Sequence, residues 1–286
     1  MGRCVEPELL DELPAADPRA VRSRRDLLRI NAWMGNGGIM VRALKSACND
    51  LAAPHLRAAS GSGSDREPSR LAAAATPPGR PDSPSTLACS DALRAGTARG
   101  PGSLMPLCRR LLDLGAGDGR LLLRVARQLR PDWQGTHAVL LDRRNAVSPE
   151  THKAFEALNW RTETREADVL DWLARPAATT YDVVITNLFL HHFGEAQLAG
   201  LLRDAAGSAR VFIAVEPRRS RRSLFVSRWL WLIGCGHVTR HDAVVSIRAG
   251  FNGRELSRLW PADGNWALQE QPAGWCSHLF VARRRE

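Results

Sequence analysis

Residues 111–119 read Leu-Leu-Asp-Leu-Gly-Ala-Gly-Asp-Gly, and this run constrains the fold more than any other. Leu111 and Leu112 have the apolar character of a buried strand, and Asp113 stands at its end. Gly115, Gly117 and Gly119 disfavour a regular element, and they let the backbone turn tightly and approach a ligand. Helix-favouring sequence resumes over 120–130, and Asp118 is placed to interact with the first turn of that helix. A strand, a glycine loop and a helix in this order form the opening of a nucleotide-type α/β unit, so an adenosine-containing cofactor is expected at the loop.

The spacing bears on which cofactor. A dinucleotide loop follows G-x-G-x-x-G, whereas here Arg120 follows Gly119 and an acid precedes the first glycine. The D-x-G-x-G-x-G form resembles motif I of the class I S-adenosylmethionine-dependent methyltransferases. That resemblance implies a cofactor site built on Asp113, Gly115, Ala116, Gly117 and Gly119. A second apolar run, Ala138 to Leu141, ends at Asp142, and an acid at the end of a second strand is placed to accept from both ribose hydroxyls, with Arg143 beside it. A third strand over 161–167 precedes Asp168-Val169. There the resemblance implies a carboxylate for the adenine amino group and an apolar neighbour for the ring. A fourth strand over 181–187 delivers Asn187 and Leu188 to the same edge, the usual ligand side of an open α/β sheet.

Taken singly, each of these aspartates could be a turn residue or a helix cap. Three acids at three successive strand ends, beside a glycine loop, favour a cofactor site. Further strand-like runs at 211–215, 266–271 and 278–282 alternate with or follow helix-like segments, which gives an α/β, doubly wound sheet. By the resemblance this is a Rossmann-like sheet of seven strands whose C-terminal strand is antiparallel, with an N-terminal helical lid. The predicted organisation is a helical segment at 1–57, a low-complexity insertion at 58–105 and a methyltransferase core at 106–286. The insertion is Ser-, Gly- and Pro-rich and lacks apolar periodicity, as in Ser60 to Ser64 and Pro77-Pro78.

The N-terminal helices, predicted over 18–33 and 39–49, are separated by a break at Gly35-Asn-Gly-Gly38, with Leu27, Leu28, Ile30, Val41 and Leu44 as their apolar face. Arg24 to Asn31, followed by Trp33, resembles the lid of small-molecule methyltransferases of the quinone and polyketide-tailoring kind. A lid would exclude water from a sulfonium cofactor, and a simple extension of the core is the competing reading.

Methyl transfer is an in-line displacement that needs alignment and a deprotonated acceptor. His191, His192 and His241 are the candidate general bases, because histidine titrates nearest neutrality. The resemblance also implies that 238–251, which contains His241-Asp242, lines the substrate pocket. After the fourth strand the chain reads Asn187-Leu-Phe-Leu, where enzymes that methylate exocyclic amines carry Asn or Asp followed by Pro-Pro and an aromatic residue. The expected acceptor is therefore an O or C atom of a small molecule, aromatic or polyketide-like, in secondary metabolism.

The chain has a formal net charge of +10, and basic clusters at Arg22 to Arg25, Arg218 to Arg222 and Arg283 to Arg285 would attract nucleic acid or an anionic membrane. The cations are almost all arginine, a usage also expected of a GC-rich coding sequence, and no interleaved aromatic platforms mark a nucleic-acid groove. The apolar stretch from Ser223 to Ile233 is too short to span a bilayer. It is expected to pack as a core or lid helix whose tryptophans line a substrate pocket, with peripheral membrane contact as the alternative. The six cysteines are dispersed, no metal-ligand spacing appears, and no signal peptide is evident, so a cytoplasmic protein with free thiols and no metal is expected. Three rivals remain open: a nucleic-acid-associated methyltransferase, a non-catalytic cofactor-binding regulator, and an NAD(P)-dependent oxidoreductase using the same loop.

Overall fold

A computed structural model of the chain describes residues 2–14, 16–60, 108–129, 131, 133–175 and 180–285, without the side chains of 49–60. The chain divides into one compact unit, Met1–Ala52 with Pro106–Glu286, and a second segment, Ala53–Met105. The N-terminal helices therefore belong to the same unit as the core. Most of the 58–105 insertion lies outside the described residues.

Seven strands form one sheet: β1 (Arg110–Leu114), β2 (His137–Asp142), β3 (Arg161–Glu166), β4 (Tyr181–Asn187), β5 (Ala209–Pro217), β6 (Trp266–Ala273) and β7 (Ser277–Arg284). Their order is β3-β2-β1-β4-β5-β7-β6. The first five are parallel, and β7 enters antiparallel between β5 and β6. The expected Rossmann-like seven-stranded α/β architecture is the one observed. The order reverses between β1 and β4, so the crevice for a ligand opens at the carboxyl ends of these two strands.

Strand residues alternate between two cores, as a doubly wound sheet requires. Leu111, Leu140, Ile185 and Ile213 face one core; Leu112, Leu141, Val184 and Phe212 face the other. Helices α4 (Arg120–Leu129) and α5 (Pro149–Glu156) supply the first side, and α6 (Val169–Leu173), α7 (Glu195–Ser208) and α10 (Glu255–Leu259) supply the second.

At the N-terminus, α1 (Leu9–Glu12), α2 (Pro18–Met34) and α3 (Asn36–Ser60) precede the sheet. The break between α2 and α3 is narrower than the sequence suggested. Gly35 alone closes α2, at φ 71, and Gly37 and Gly38 lie inside α3. Helix α3 is part of the core through Met40, Leu44 and Ala47. Helix α2 is not amphipathic in the expected way: Leu27 is exposed, whereas Ala20, Ser23, Asp26 and Ile30 are buried. Polar partners across the interface explain the exchange, because Asp26 is needed at the start of another helix.

That helix is α9 (His237–Ala249), which follows α8 (Arg221–Ser227) and the 3-10 turn Leu230–Ile233. Its N-cap, Gly236, has no side chain with which to cap. Asp26 does so from α2, accepting from the Gly236 N–H at 2.7 Å and the Thr239 hydroxyl at 3.0 Å. A carboxylate at a helix N-terminus is favoured by both hydrogen bonding and the helix dipole. The five cysteines among the described residues are free.

Candidate active site

The glycine loop runs from the end of β1 into α4. Its first two N–H groups, of Gly115 and Ala116, donate to the Leu141 carbonyl at 2.9 and 3.1 Å, which ties the loop to the end of β2. Gly115 sits at φ 71, and a Cβ there would come within 2.4 Å of the Phe189 ring. This glycine is required twice over, by backbone conformation and by the aromatic ring laid against it. Gly117 also has positive φ, and a Cβ there would meet nothing within 4 Å, so its backbone faces open space.

Asp142 ends β2 and organises the loop. One carboxylate oxygen accepts from the Gly117 N–H at 2.9 Å, and the other accepts from the Arg144 N–H at 3.1 Å. Each oxygen keeps a further lone pair, so the pair of ribose hydroxyls expected from the sequence can still be received. Asp113 is buried, and desolvation together with the nearby Asp142 charge pushes its carboxyl up to about 8. A buried carboxyl held in reserve next to an open glycine loop suits a cationic ligand, whose charge would favour the ionised form.

Asp168 does double duty. Its carboxylate caps α6 by accepting from the Leu170 N–H at 2.8 Å, and its second oxygen lies 3.5 Å from the Arg143 guanidinium. Val169 is buried in the core beneath α6. Asn187, at the end of β4, donates to the Asn31 side-chain oxygen of α2 at 3.0 Å, while its own side-chain oxygen is buried without a partner. Leu188 takes φ 51, a backbone conformation rare for a branched side chain, and its N–H donates to the Val215 carbonyl. The turn it makes sends Phe189 back over Gly115.

Helix α2 therefore reaches the site at several points. Val21, Arg24, Arg25 and Leu28 border a hollow of about 170 Å³ with Asp118 and Arg120 at the start of α4. Farther along, Asn31 holds Asn187, and Asp26 caps α9.

The three histidines have different fates. His191 is buried, with Nδ1 2.9 Å from Glu216 and Nε2 3.4 Å from Glu8. Burial opposes its charged form, but hydrogen bonds to the two carboxylates overcome that cost and raise its pKa to about 9. Protonated at neutral pH and engaged at both nitrogens, His191 has no lone pair for an acceptor proton. The ring acts as a clasp between Glu216 and Glu8. Glu216 also accepts the N–H groups of Phe189 and Leu190, at 3.0 and 2.9 Å, so it fixes the turn above the glycine loop. Burial disfavours ionised Glu8, yet bonds to His191 and Ser246 hold it below the usual carboxylate range.

His192 is partly exposed. Burial and the adjacent His191 charge lower its pKa, so it is neutral near pH 7. Its ring lies 6.5 Å, centre to centre, from Phe189, which places it beside the ring that covers Gly115. His241 is on α9, with Nδ1 3.1 Å from Asp242. Asp242 also accepts the N–H groups of Leu9 and Leu10, so it pins the N-terminal segment to α9. The N-terminal part of α9 borders a second cavity of about 410 Å³, shared with Leu9, Leu13, Arg22 and Ser23.

Sequence reasoning missed Glu8, Asp26, Asn31 and Phe189 and assigned no role to Glu216. Glu216 had a legible signal, an acid ending the apolar run Val211 to Val215. Glu8 and Asp26 had none, because their partners are more than 180 residues away.

Residues 111–210 match the family described as methyltransferase domain. The span from β1 to the start of β5 thus matches a methyltransferase domain. None of the curated proteins matches the chain. Among solved structures it is similar to an O-methyltransferase family protein from Burkholderia thailandensis, at 20% identity and TM-score 0.45, over 63% of this chain and 52% of that one. It is also similar to the mitomycin 7-O-methyltransferase MmcR, at 18% identity and TM-score 0.42, over 63% and 50%. The magnesium protoporphyrin IX methyltransferase from Synechocystis PCC 6803 with bound SAH aligns at 17% identity and TM-score 0.39, over 62% and 74%. The chain spans about half the length of the first two. S-adenosylmethionine is the cofactor that suits the donor set, since the site offers carboxylates and an open loop rather than a third spaced glycine for a pyrophosphate.

Proposed function

We propose that this chain transfers the methyl group of S-adenosylmethionine to an O or C nucleophile of a small molecule, aromatic or polyketide-like, in the secondary metabolism of the cytoplasm. The observation that carries the reading is the convergence of Asp113, the open Gly117 backbone and Asp142 at the switch point of the sheet, under the turn that bears Phe189 and His192. Asp113, Gly115, Ala116, Gly117, Gly119, Asp142, Arg143, Asp168, Val169, Asn187 and Leu188 are the proposed cofactor-site residues, with no metal in the reaction. The bound cofactor supplies an electrophilic methyl. The protein's part is to hold it, orient the acceptor, exclude water beneath α2 and take the acceptor's proton.

For the last task His192 is the proposed base. Burial and the His191 charge favour its neutral form, and it borders the ring over the loop, whereas His191 is committed to its carboxylates. His241, on α9, is retained as a second candidate. The purified chain, incubated with methyl-labelled cofactor and a panel of phenols, polyketides and quinone precursors, should label an O or C acceptor. His192→Asn should lower kcat on a phenolic acceptor by about 10²–10⁴ while leaving cofactor affinity unchanged. Tight cofactor binding with no transfer to any acceptor would favour the regulator reading instead.

A further inference from the structure

The segment from Arg221 to Ile233 presents its apolar side outward. Along α8 the buried residues are Ser223 and Ser227, while Phe225 is 60% exposed. In the following turn Trp229, Trp231 and Leu232 are 50%, 54% and 59% exposed, and only Leu230 is buried. This inverts the arrangement of an ordinary surface helix, which buries its aromatics and exposes its serines. The expectation that these tryptophans line an internal pocket is therefore corrected.

The inverted face is not isolated. Leu230 and Ile233 pack on Ile30 and Met34 of α2, which brings the end of α2, with exposed Trp33, to the same region. The turn joining β6 to β7 meets α2 as well: a Cβ on Gly274 would lie 3.6 Å from the Met34 carbonyl oxygen. Trp275 in that turn is 82% exposed. Strand β5 ends at Pro217 immediately before this segment, and β7 begins opposite it. The exposed aromatics thus gather at the carboxyl edge of the sheet, the edge that carries the cofactor site.

The charge around the patch is of one sign. Between Pro217 and His241 there is no Asp or Glu, and Arg221, Arg222 and Arg228 are exposed. Exposed tryptophan and phenylalanine flanked by arginine match the headgroup region of an anionic bilayer, where aromatic rings sit at the interface and guanidinium groups pair with phosphate. A second copy of the chain would set these arginines against their own like charge. No helix among the described residues is long and apolar enough to cross a membrane, so contact through this face would be peripheral.

We propose that the α8 face, with Trp229, Trp231 and Phe225 as its apolar anchors and Arg221, Arg222 and Arg228 as its charges, docks on an anionic lipid surface. The docking does not depend on the methyl-transfer reading. If both hold, the site rim faces the membrane and the acceptor is a lipophilic molecule taken from it.

The test is co-sedimentation of the full chain with phosphatidylcholine vesicles, with and without one part in three of phosphatidylglycerol. The wild type should partition onto the anionic vesicles, and rising salt should release it. Arg221→Glu with Arg222→Glu should weaken partitioning at least about thirtyfold, as expected for charges near such a surface. Trp229→Ser with Trp231→Ser should weaken it at least tenfold, about 1.4 kcal/mol. Both double variants should keep the wild-type circular dichroism spectrum and urea midpoint, which shows that they fold. No partitioning of the wild type, or partitioning unchanged in both variants, overturns the proposal. So does concentration-dependent self-association through the same residues without vesicle binding.

Discussion

Glu216→Gln isolates the buried charge that holds the turn above the glycine loop. The substitution keeps an oxygen for the Phe189 and Leu190 N–H groups and removes only the negative charge facing His191. The imidazole's pKa is about 9 in the folded chain against an ordinary 6.5. The group therefore contributes stability that is complete below pH 6.5 and is lost as pH rises through 9. At about 1.4 kcal/mol per pH unit, that gap is worth about 3 kcal/mol. In Glu216→Gln burial remains, and Glu8 at 3.4 Å is the one carboxylate left to oppose it, so the titration midpoint should fall below neutrality. Urea unfolding at pH 6 should then show a loss of about 2–3 kcal/mol, and at pH 10, where the wild-type ring is already neutral, a loss of under about 1 kcal/mol. NMR titration of the histidine ring protons reads the midpoint itself. Equal losses at both pH values, or a wild-type His191 that titrates below pH 7, would refute the clasp.

Two further substitutions test the elements around the loop. Gly115→Ala combines a left-handed backbone with a Cβ 2.4 Å from Phe189, and should cost about 2–5 kcal/mol in urea unfolding, part of it recovered when Phe189→Ala is added; a cost below about 1 kcal/mol contradicts the close packing. Asp26→Ala strips the cap from α9, leaves the Gly236 N–H without its acceptor and the Thr239 hydroxyl with only the Ser23 hydroxyl, so stability should fall by about 2–4 kcal/mol. Limited proteolysis should then cut α2 before the core, and an uncut α2 in the folded variant would count against its docking through Asp26.

The sheet was legible because its signals are local. Most of the strands are apolar runs bounded by turn residues, β3 with its polar Arg161–Glu166 being an exception, and β4 matched its expected bounds, Tyr181 to Asn187. The glycine loop and the strand-end acids were legible for the same reason, since a tight turn and a strand terminus impose residue types on their own positions. The antiparallel entry of β7 came from family resemblance, because pairing between distant strands leaves no local mark. Polar clasps were illegible. Glu8, His191 and Glu216 meet only after folding, and nothing local marks Asp26, between Arg25 and Leu27, as the cap of a helix 210 residues away. The α8 segment misled because apolar periodicity normally reports a buried face, whereas here it reports an exposed one.

The account stands on the glycine loop and Asp142 as a site for S-adenosylmethionine, and calorimetric titration of that cofactor into the wild type and Asp142→Ala tests it most directly. The wild type should bind S-adenosylmethionine and not NADH. Asp142→Ala, folded by circular dichroism, should bind at least about tenfold more weakly, because hydrogen bonds to a charged group are lost. Binding of NADH alone, or undiminished S-adenosylmethionine affinity in Asp142→Ala, would contradict it.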